Sequence, residues 1–200
     1  MPYKNNIKMH SADICVIGGG LAGMCAAISA ARHSSKVILV HDRPVLGGNC
    51  SSEVRMWPLG AHGNNRRETG IFEELILNNM YRNPTRNYPI WDSVLYEAVK
   101  NQENITVLLN CSVFGINMFD DKNISSVTGW QTTTYTHHIV SAKIFIDCSG
   151  DSIRCVEETG FLFVLRFSRE MKRLSRNQKN AKCIKVQQLF YKYRCNIPSP

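Results

Sequence analysis

The chain of 200 residues lacks the segments that mark membrane and secreted proteins. No apolar run approaches the ~18–20 residues that a membrane-spanning helix needs. The first residues, MPYKNNIKMHSAD, have no apolar core of the kind found in secretory signal peptides. We therefore predict no membrane partner and a cytoplasmic location.

Several catalytic and metal-binding patterns are also missing. No two of the eight cysteines form a CxxC pair, which argues against a zinc knuckle or a dithiol redox motif. The histidines His62, His137 and His138 lack the spacing of a ligand set, so no metal site is predicted. No paired carboxylates, serine elbow or Cys–His pair indicates a hydrolase.

The cysteines that fall in recognisable segments are better explained by packing. Cys15 and Cys25 lie on apolar faces of a predicted strand and a predicted helix, where a free thiol acts as a small hydrophobe. Cys50 lies in a glycine-rich loop, and there too a packing role is favoured over a redox role.

The net charge of +8 is confined to one end of the chain. Residues 152–200 contain eleven Lys and Arg against three Asp and Glu, so residues 1–151 are neutral overall. Nucleic-acid binding requires a basic footprint on a folded surface with base-reading side chains, and this segment shows no such module. We predict no nucleic-acid partner and a basic, poorly ordered or aberrant tail over 156–200.

The rest of the sequence has a globular composition, with 44% hydrophobic and 20% charged residues. The apolar run Ala12–Ile17 predicts a strand, Leu21–Arg32 a small-residue helix, and Lys36–Val40 a second buried strand. Strand, helix and strand over about 30 residues form a βαβ unit with a parallel strand pair.

Apolar spacing predicts the remaining elements as well. Helices are expected over 68–81 and 91–101, the second capped by Asp92 or Ser93, and a strand over 105–109. Strands at 113–119, 124–131 and 134–140 form an antiparallel meander, and a separate apolar strand follows at 143–147. The chain is thus predicted to be α/β, with residues 1–155 forming one domain that contains a helical insertion at about 68–101 and the meander at about 113–140.

The strongest motif joins the first strand to the first helix. Its residues are Gly18, Gly19, Gly20, Leu21, Ala22 and Gly23, which satisfy G-x-G-x-x-G. Gly18 permits the tight turn, Gly20 lets backbone approach a pyrophosphate, and Gly23 lets helix and strand pack closely. The helix N-terminus offers free N–H groups to an anion. This context predicts a dinucleotide site.

An acidic residue at the end of the second strand usually binds ribose hydroxyls in such folds. Here His41 stands at the usual position of the acid and Asp42 follows it. Asp42 is the preferred ribose partner, and His41 is the alternative. The neighbouring Arg43 does not indicate a preference for NADP, because Asp42 would repel a 2′-phosphate.

Two further segments are expected to approach the same ligand. Gly47, Gly48 and Asn49 form a loop in which backbone can run close to it. Ser149, Gly150 and Asp151 follow the strand at 143–147, and ligands in open α/β sheets bind outside such strand ends.

These segments together resemble a known family. The sequences VIGGGLAGMCAA, HDRPVLGGNCSSEVRMWPLGAHG, RETGIFEEL, WDSVLYEAV and DCSGD occur in the order found in FAD-dependent oxidoreductases of the glutathione reductase-like, two-dinucleotide-binding-domain type. The resemblance covers about residues 12–155. It implies a Rossmann-like FAD-binding domain, with FAD running from the Gly18–Gly23 turn past the 47–49 loop and the 149–151 turn closing against it. It also implies that the meander separates two parallel strands. It further implies that Arg55, Arg66 and Arg67 lie in a loop that faces the substrate, where they are candidates for binding an anionic substrate or the pyrophosphate, although a solvated loop explains them equally well.

The resemblance stops soon after residue 151, where family members continue into substrate-binding and flavin-binding regions. The charge changes at the same point, so we expect the domain to be incomplete at its C-terminus and the chain to be truncated. The favoured function is an FAD-dependent oxidoreductase, or its N-terminal portion, in which the flavin accepts hydride from an unknown organic substrate. The alternatives are an NAD-binding oxidoreductase domain and a non-catalytic remnant; the catalytic residues, the substrate and the oligomeric state stay open.

Overall fold

The computed structural model describes residues 6–61, 64, 68–120, 123–150 and, as backbone, 182–185. Helices α1, α2 and α3 span Leu21–Arg32, Ile71–Arg82 and Tyr88–Lys100, and a short 3-10 helix spans Gly48–Cys50. The strands are β1 (Asn6–Ile17), β2 (Val37–Val40), β3 (Ile105–Leu108), β4 (Cys111–Asp120), β5 (Asn123–Gln131), β6 (Thr136–Asp147) and β7 (Lys182–Lys185).

All seven strands belong to one sheet, in the order β3-β2-β1-β6-β5-β4, and β7 pairs with β6. The pairs β1–β2, β2–β3, β1–β6 and β6–β7 are parallel, whereas β4–β5 and β5–β6 are antiparallel. The α/β class is therefore confirmed, with the predicted parallel sheet and the predicted antiparallel meander.

The core divides between the two faces of the parallel strands because successive strand residues point to opposite sides. Val16, Val37 and Leu39 are fully buried on one face and pack against α1, α2 and α3. Cys15 and Ile38 occupy the other face and pack with residues of the meander. Both faces of the parallel strands are thus covered, which leaves the strand ends as the place where a ligand can bind.

The first helix has the predicted bounds, Leu21–Arg32, but the first strand is longer than predicted. It begins at Asn6 and pairs with β6 along its whole length, with Asn6 opposite Thr136 and Ile17 opposite Asp147. Its first half is largely exposed, so the sequence there has no apolar run to reveal it.

The prediction of separate strands at 134–140 and 143–147 is wrong, because β6 runs without a break from Thr136 to Asp147. The residues between the two predicted strands stay paired with β1, Ser141 opposite Ser11 and Ala142 opposite Ala12. On its other side, the first half of β6 pairs with β5 and completes the meander, and the last residues of β6 pair with β7.

The third helix begins earlier than predicted, which makes the expected caps wrong. Asn87 is its N-cap residue, and Pro89 lies in the first turn, where a missing N–H is tolerated. Asp92 instead accepts a hydrogen bond from the Ser52 N–H at 3.0 Å. Asn83 fixes the approach to the helix, since its side-chain oxygen accepts the Asn87 N–H at 2.7 Å.

Several expectations fall outside the described residues. They concern Asp151, His62, Arg66 and Arg67, together with the domain boundary near residue 155. Apart from β7, the same holds for the expected character of the segment 156–200. Within the described residues, no helix is long and apolar enough to span a membrane.

Candidate dinucleotide site

The glycine turn between β1 and α1 is held by backbone contacts on both sides. Gly18 has a φ of +101° and donates its N–H to the Val40 carbonyl at 2.8 Å. A Cβ on Gly18 would lie 2.7 Å from the Ser149 nitrogen, closer than real Cβ atoms come. Both the positive φ and this close approach require glycine at position 18.

The N-terminus of α1 is open at this turn. Gly20 is the N-cap residue and has no side chain to occupy the first N–H groups, and the first turn contains no acidic residue. A helix of 12 residues that begins in this way presents free donors and a partial positive charge to an anion. The turn can therefore bind a phosphate through backbone atoms alone.

The second glycine segment lies directly against the first. The Gly47 N–H donates to the Gly19 carbonyl at 2.8 Å, and Gly20 and Gly47 form an isolated parallel bridge. Gly48 approaches Gly20 so closely that a Cβ on Gly48 would lie 3.2 Å from the Gly20 Cα. The two glycine segments thus meet beside the start of α1, and no side chain separates their backbones.

His41, at the end of β2, is buried and links the two segments. Its Nδ1 accepts the Gly19 N–H at 3.0 Å, and its Nε2 lies 3.1 Å from the Val45 carbonyl oxygen. These partners assign the proton of the neutral ring to Nε2. Asp42, whose side chain is 63% exposed, places Oδ1 3.2 Å from the same Nδ1.

Burial lowers the pKa of His41, and this effect outweighs the opposing attraction of Asp42. The ring is therefore neutral at pH 7. Both of its nitrogens already face protein atoms, whereas Asp42 keeps an exposed carboxylate on the side of the cavity described below.

The turn after β6 is shaped by Asp147. Its Oδ1 accepts both the backbone N–H of Ser149 at 2.9 Å and the Ser149 hydroxyl at 2.6 Å. The Cys148 N–H donates to the Ile17 carbonyl at 2.7 Å, which fixes the turn beside the end of β1. Gly150 follows with a φ of +96°, and no atom would obstruct a Cβ there.

The loop after the second glycine segment is anchored to α3. Met56 donates its N–H to the Asn49 carbonyl at 2.9 Å, and the Tyr88 hydroxyl donates to the Arg55 carbonyl at 2.6 Å. Arg55 itself is exposed and has a φ of +61°. Its guanidinium donates to the Ser52 carbonyl at 3.0 Å rather than toward the glycine turn.

A cavity of about 330 Å³ opens where these segments converge, at the carboxyl ends of β1, β2 and β6. Nine of the residues predicted from the sequence line it: Gly18, Gly20, His41, Asp42, Arg43, Gly48, Asn49, Ser149 and Gly150. Five others do not, and they are Gly19, Leu21, Ala22, Gly23 and Gly47. Of these five, Gly19 and Gly47 support the walls through their mutual hydrogen bond.

One wall of the cavity was not predicted. Cys111, Ser112, Val113 and Ile116, at the start of β4, line it together with Asp147 and Cys148. Cys111 closely follows β3 along the chain, and the carboxyl end of β3 lies at the same edge of the sheet as that of β2. Applying the strand-end rule to every parallel strand would have identified the segment.

The thiols near the cavity are not activated nucleophiles. Burial raises the pKa of Cys50 and Cys111 to about 11, and that of Cys148 to about 12. A thiolate is therefore scarce at neutral pH, in agreement with the packing role predicted for Cys50. Among the described residues, no three His, Cys, Asp or Glu side chains are grouped to hold a metal ion.

Comparison with known proteins now identifies the family. Residues 13–156 match the family described as FAD dependent oxidoreductase. The chain belongs to this family. The resemblance seen in the sequence is confirmed, and FAD is the cofactor after which the family is named.

The curated relatives match over shorter segments. The soluble pyridine nucleotide transhydrogenase of Marinobacter nauticus is 45% identical over 42 residues, which are 21% of this chain and 9% of that protein. The dihydrolipoyl dehydrogenase of Manduca sexta is 51% identical over 41 residues, or 20% of this chain and 8% of its own. The matched part of the chain thus spans about a tenth of these relatives.

Solved structures share the fold at low sequence identity. The myxobacterial chondrochloren halogenase CndH, titled a variant of FAD-dependent halogenases, has a TM-score of 0.53 and 17% identity, covering 72% of this chain and 38% of that chain. Mycobacterium smegmatis Sdh1 has a TM-score of 0.51 and 15% identity, covering 72% and 34%. These likenesses confirm the Rossmann-like FAD-binding fold.

The described residues fit the adenosine diphosphate half of FAD. A pyrophosphate needs backbone donors and an approach free of side chains, which the open helix N-terminus and the Gly20–Gly48 contact provide. A ribose needs an acceptor beside them, and Asp42 lies at the rim of the same cavity.

Proposed function

We propose that this chain binds FAD in the cavity at the strand ends and serves an oxidoreductase that moves hydride between an organic substrate and the flavin. The observation that carries the proposal is the convergence of both glycine segments, Asp42 and the turn after β6 on one cavity. Membership of the FAD-dependent family supports FAD over NAD as the occupant.

The pyrophosphate would lie at the N-terminus of α1. Gly20 and Gly48 would let it approach the backbone, and the N–H groups of the first turn would neutralise part of its charge. Arg43 lines the same cavity and adds a positive side chain, 3.8 Å from the Glu53 carboxylate.

The ribose would be bound by Asp42. This assignment is preferred over His41 because both ring nitrogens of His41 are engaged by protein atoms. Ser149 and Gly150 would close the other side, with the Ser149 hydroxyl held by Asp147. The bound flavin supplies the redox chemistry, and the chain's residues bind and orient the cofactor.

The test begins with the purified chain, its visible spectrum and acid release of any bound ligand. We expect a flavin spectrum and FAD in the supernatant. Colourless folded protein that binds NAD would favour the NAD-binding alternative, and folded protein that binds neither would overturn the proposal.

A pair of variants then tests the assigned ribose contact. Asp42→Asn removes the charge of an exposed residue and should raise the Kd for FAD about tenfold to a hundredfold, as expected for loss of a charge-assisted hydrogen bond worth about 1.5–3 kcal/mol. Glu103→Gln is the matched control, because Glu103 is exposed and precedes β3 at the opposite end of the strands. It should leave the Kd unchanged.

A further inference from the structure

The Nδ1 atom of His41 faces two partners that it cannot satisfy at the same time. The Gly19 N–H lies 3.0 Å away and is a donor, whereas Asp42 Oδ1 lies 3.2 Å away and is an acceptor. Within the described part of the chain, Nε2 faces the Val45 carbonyl oxygen, which can only accept, so Nε2 keeps its proton in either state. The protonation of Nδ1 therefore decides which of the two bonds exists.

In the neutral ring, Nδ1 accepts the Gly19 N–H and repels the Asp42 carboxylate. In the protonated ring, Nδ1–H donates to Asp42, and the Gly19 N–H loses its acceptor. Each state satisfies one neighbour and leaves the other without its bond.

The Gly19 peptide transmits this choice to the glycine turn. Its carbonyl is held by the Gly47 N–H at 2.8 Å, and its N–H by His41. The ring also packs against it, since a Cβ on Gly19 would lie 2.8 Å from the His41 Cγ and 2.6 Å from a Leu46 methyl. A change at Nδ1 thus acts on both the turn and Asp42.

We propose that His41 is a positioning residue for the dinucleotide: its neutral form fixes the glycine turn and leaves Asp42 to the ribose, and its protonated form draws Asp42 away and releases the turn. The inference rests on the proposed function, because it assigns the ribose to Asp42. It explains why a histidine and an aspartate stand where related folds use a single acid.

The charges around the ring favour the neutral state. Asp42 and Glu53 attract a proton to His41, Arg43 opposes it, and the residues that contact the ring from the glycine turn carry no charge. Burial has the largest effect and holds the pKa of His41 below its usual value. The binding-competent form therefore predominates at neutral pH and is lost on acidification.

The first experiment measures the Kd of the flavin-free full chain for FAD from pH 8 to pH 5. FAD is a suitable probe because its pyrophosphate diester does not titrate in this range. We expect the Kd to be higher at pH 5 than at pH 8, because the competent fraction falls as the pH falls. His41→Gln should abolish this pH dependence, since its amide can accept the Gly19 N–H and donate to Val45 without titrating.

The second experiment follows the Gly19 amide by NMR in the flavin-free chain over the same range. Its resonance should shift with a single titration in the wild type and not in His41→Gln. A Kd for FAD that does not change with pH, or a Gly19 amide resonance that does not shift with pH, would overturn the positioning role. Absence of FAD binding at every pH would overturn the proposed function. The positioning role would fall with it, even if the Gly19 amide resonance shifts with pH.

Discussion

Gly23 of α1 packs against Gly18 so closely that a Cβ on Gly23 would overlap the Gly18 carbonyl oxygen. The same Cβ would lie 3.2 Å from the Cβ of Cys148. The first turn of the helix therefore rests on the backbone of the glycine turn, and the turn after β6 lies behind it. This contact sets the position of the α1 N-terminus relative to the strand ends.

Gly23→Ala should consequently destabilise the chain by roughly 1–3 kcal/mol, because a backbone carbonyl cannot move aside as a flexible side chain can. Urea unfolding followed by circular dichroism would measure the change. Gly115→Ala is the matched control, since a Cβ there would make only an ordinary 3.8 Å contact with Thr128. Equal stability of the Gly23→Ala and wild-type chains would contradict the packing.

A second prediction concerns His10 and His138, which stack with their ring centroids 5.0 Å apart. His10 Nε2 and His138 Nδ1 lie 2.8 Å apart, and His138 Nε2 lies 3.1 Å from the Gln131 side-chain oxygen. The chain of bonds is complete when both rings are neutral, with each Nε2 as the donor. Burial is the main reason that the pKa of each histidine is lowered.

Because the folded pKa values lie below the unfolded value of 6.5, the unfolded chain binds protons first as the pH falls. The stabilisation is fully present above pH 6.5 and declines below it. His10→Gln keeps a donor toward His138 and removes one titrating group. Its unfolding free energy should fall less than that of the wild type between pH 7 and pH 5, and parallel profiles would refute the assignment.

The site was more predictable than the full sheet, for a physical reason. The turn at Gly18–Gly23 is a local feature: a buried apolar strand, glycines and a small-residue helix follow one another in the sequence, and the helix bounds agree with the prediction. The first half of β1 is exposed and polar, so only its pairing with β6 defines it. That pairing joins residues more than a hundred positions apart, which no local pattern records.

The role of His41 was hidden for a related reason. Its position after β2 made it the alternative ribose partner to Asp42, but its ring is engaged by Gly19, 22 residues earlier, and by Val45. Its partners are backbone atoms, which every residue type supplies in the same form. The sequence therefore identifies the histidine but not its hydrogen bonds. The wall formed by Cys111, Ser112, Val113 and Ile116 was missed, although these residues follow the parallel strand β3 along the chain.

The last prediction separates the shape of the turn after β6 from its charge. Asp147 is 3% exposed, lines the cavity and accepts two hydrogen bonds from Ser149 through one oxygen. Asp147→Asn can retain both bonds through its amide oxygen and removes a negative charge close to the proposed pyrophosphate. Asp147→Ala loses the charge and both bonds, and leaves the Ser149 donors without their acceptor.

We therefore expect opposite effects from the two variants. Asp147→Asn should bind FAD as tightly as the wild type or more tightly, because a repulsive charge is gone. Asp147→Ala should bind it more weakly and unfold more readily, by about 1–3 kcal/mol for the lost acceptor. Fluorescence titration with FAD and urea unfolding measure the two effects, with Glu103→Gln as the control for losing an acid. If Asp147→Asn were as impaired as Asp147→Ala, the charge itself, rather than the turn, would be what the site requires.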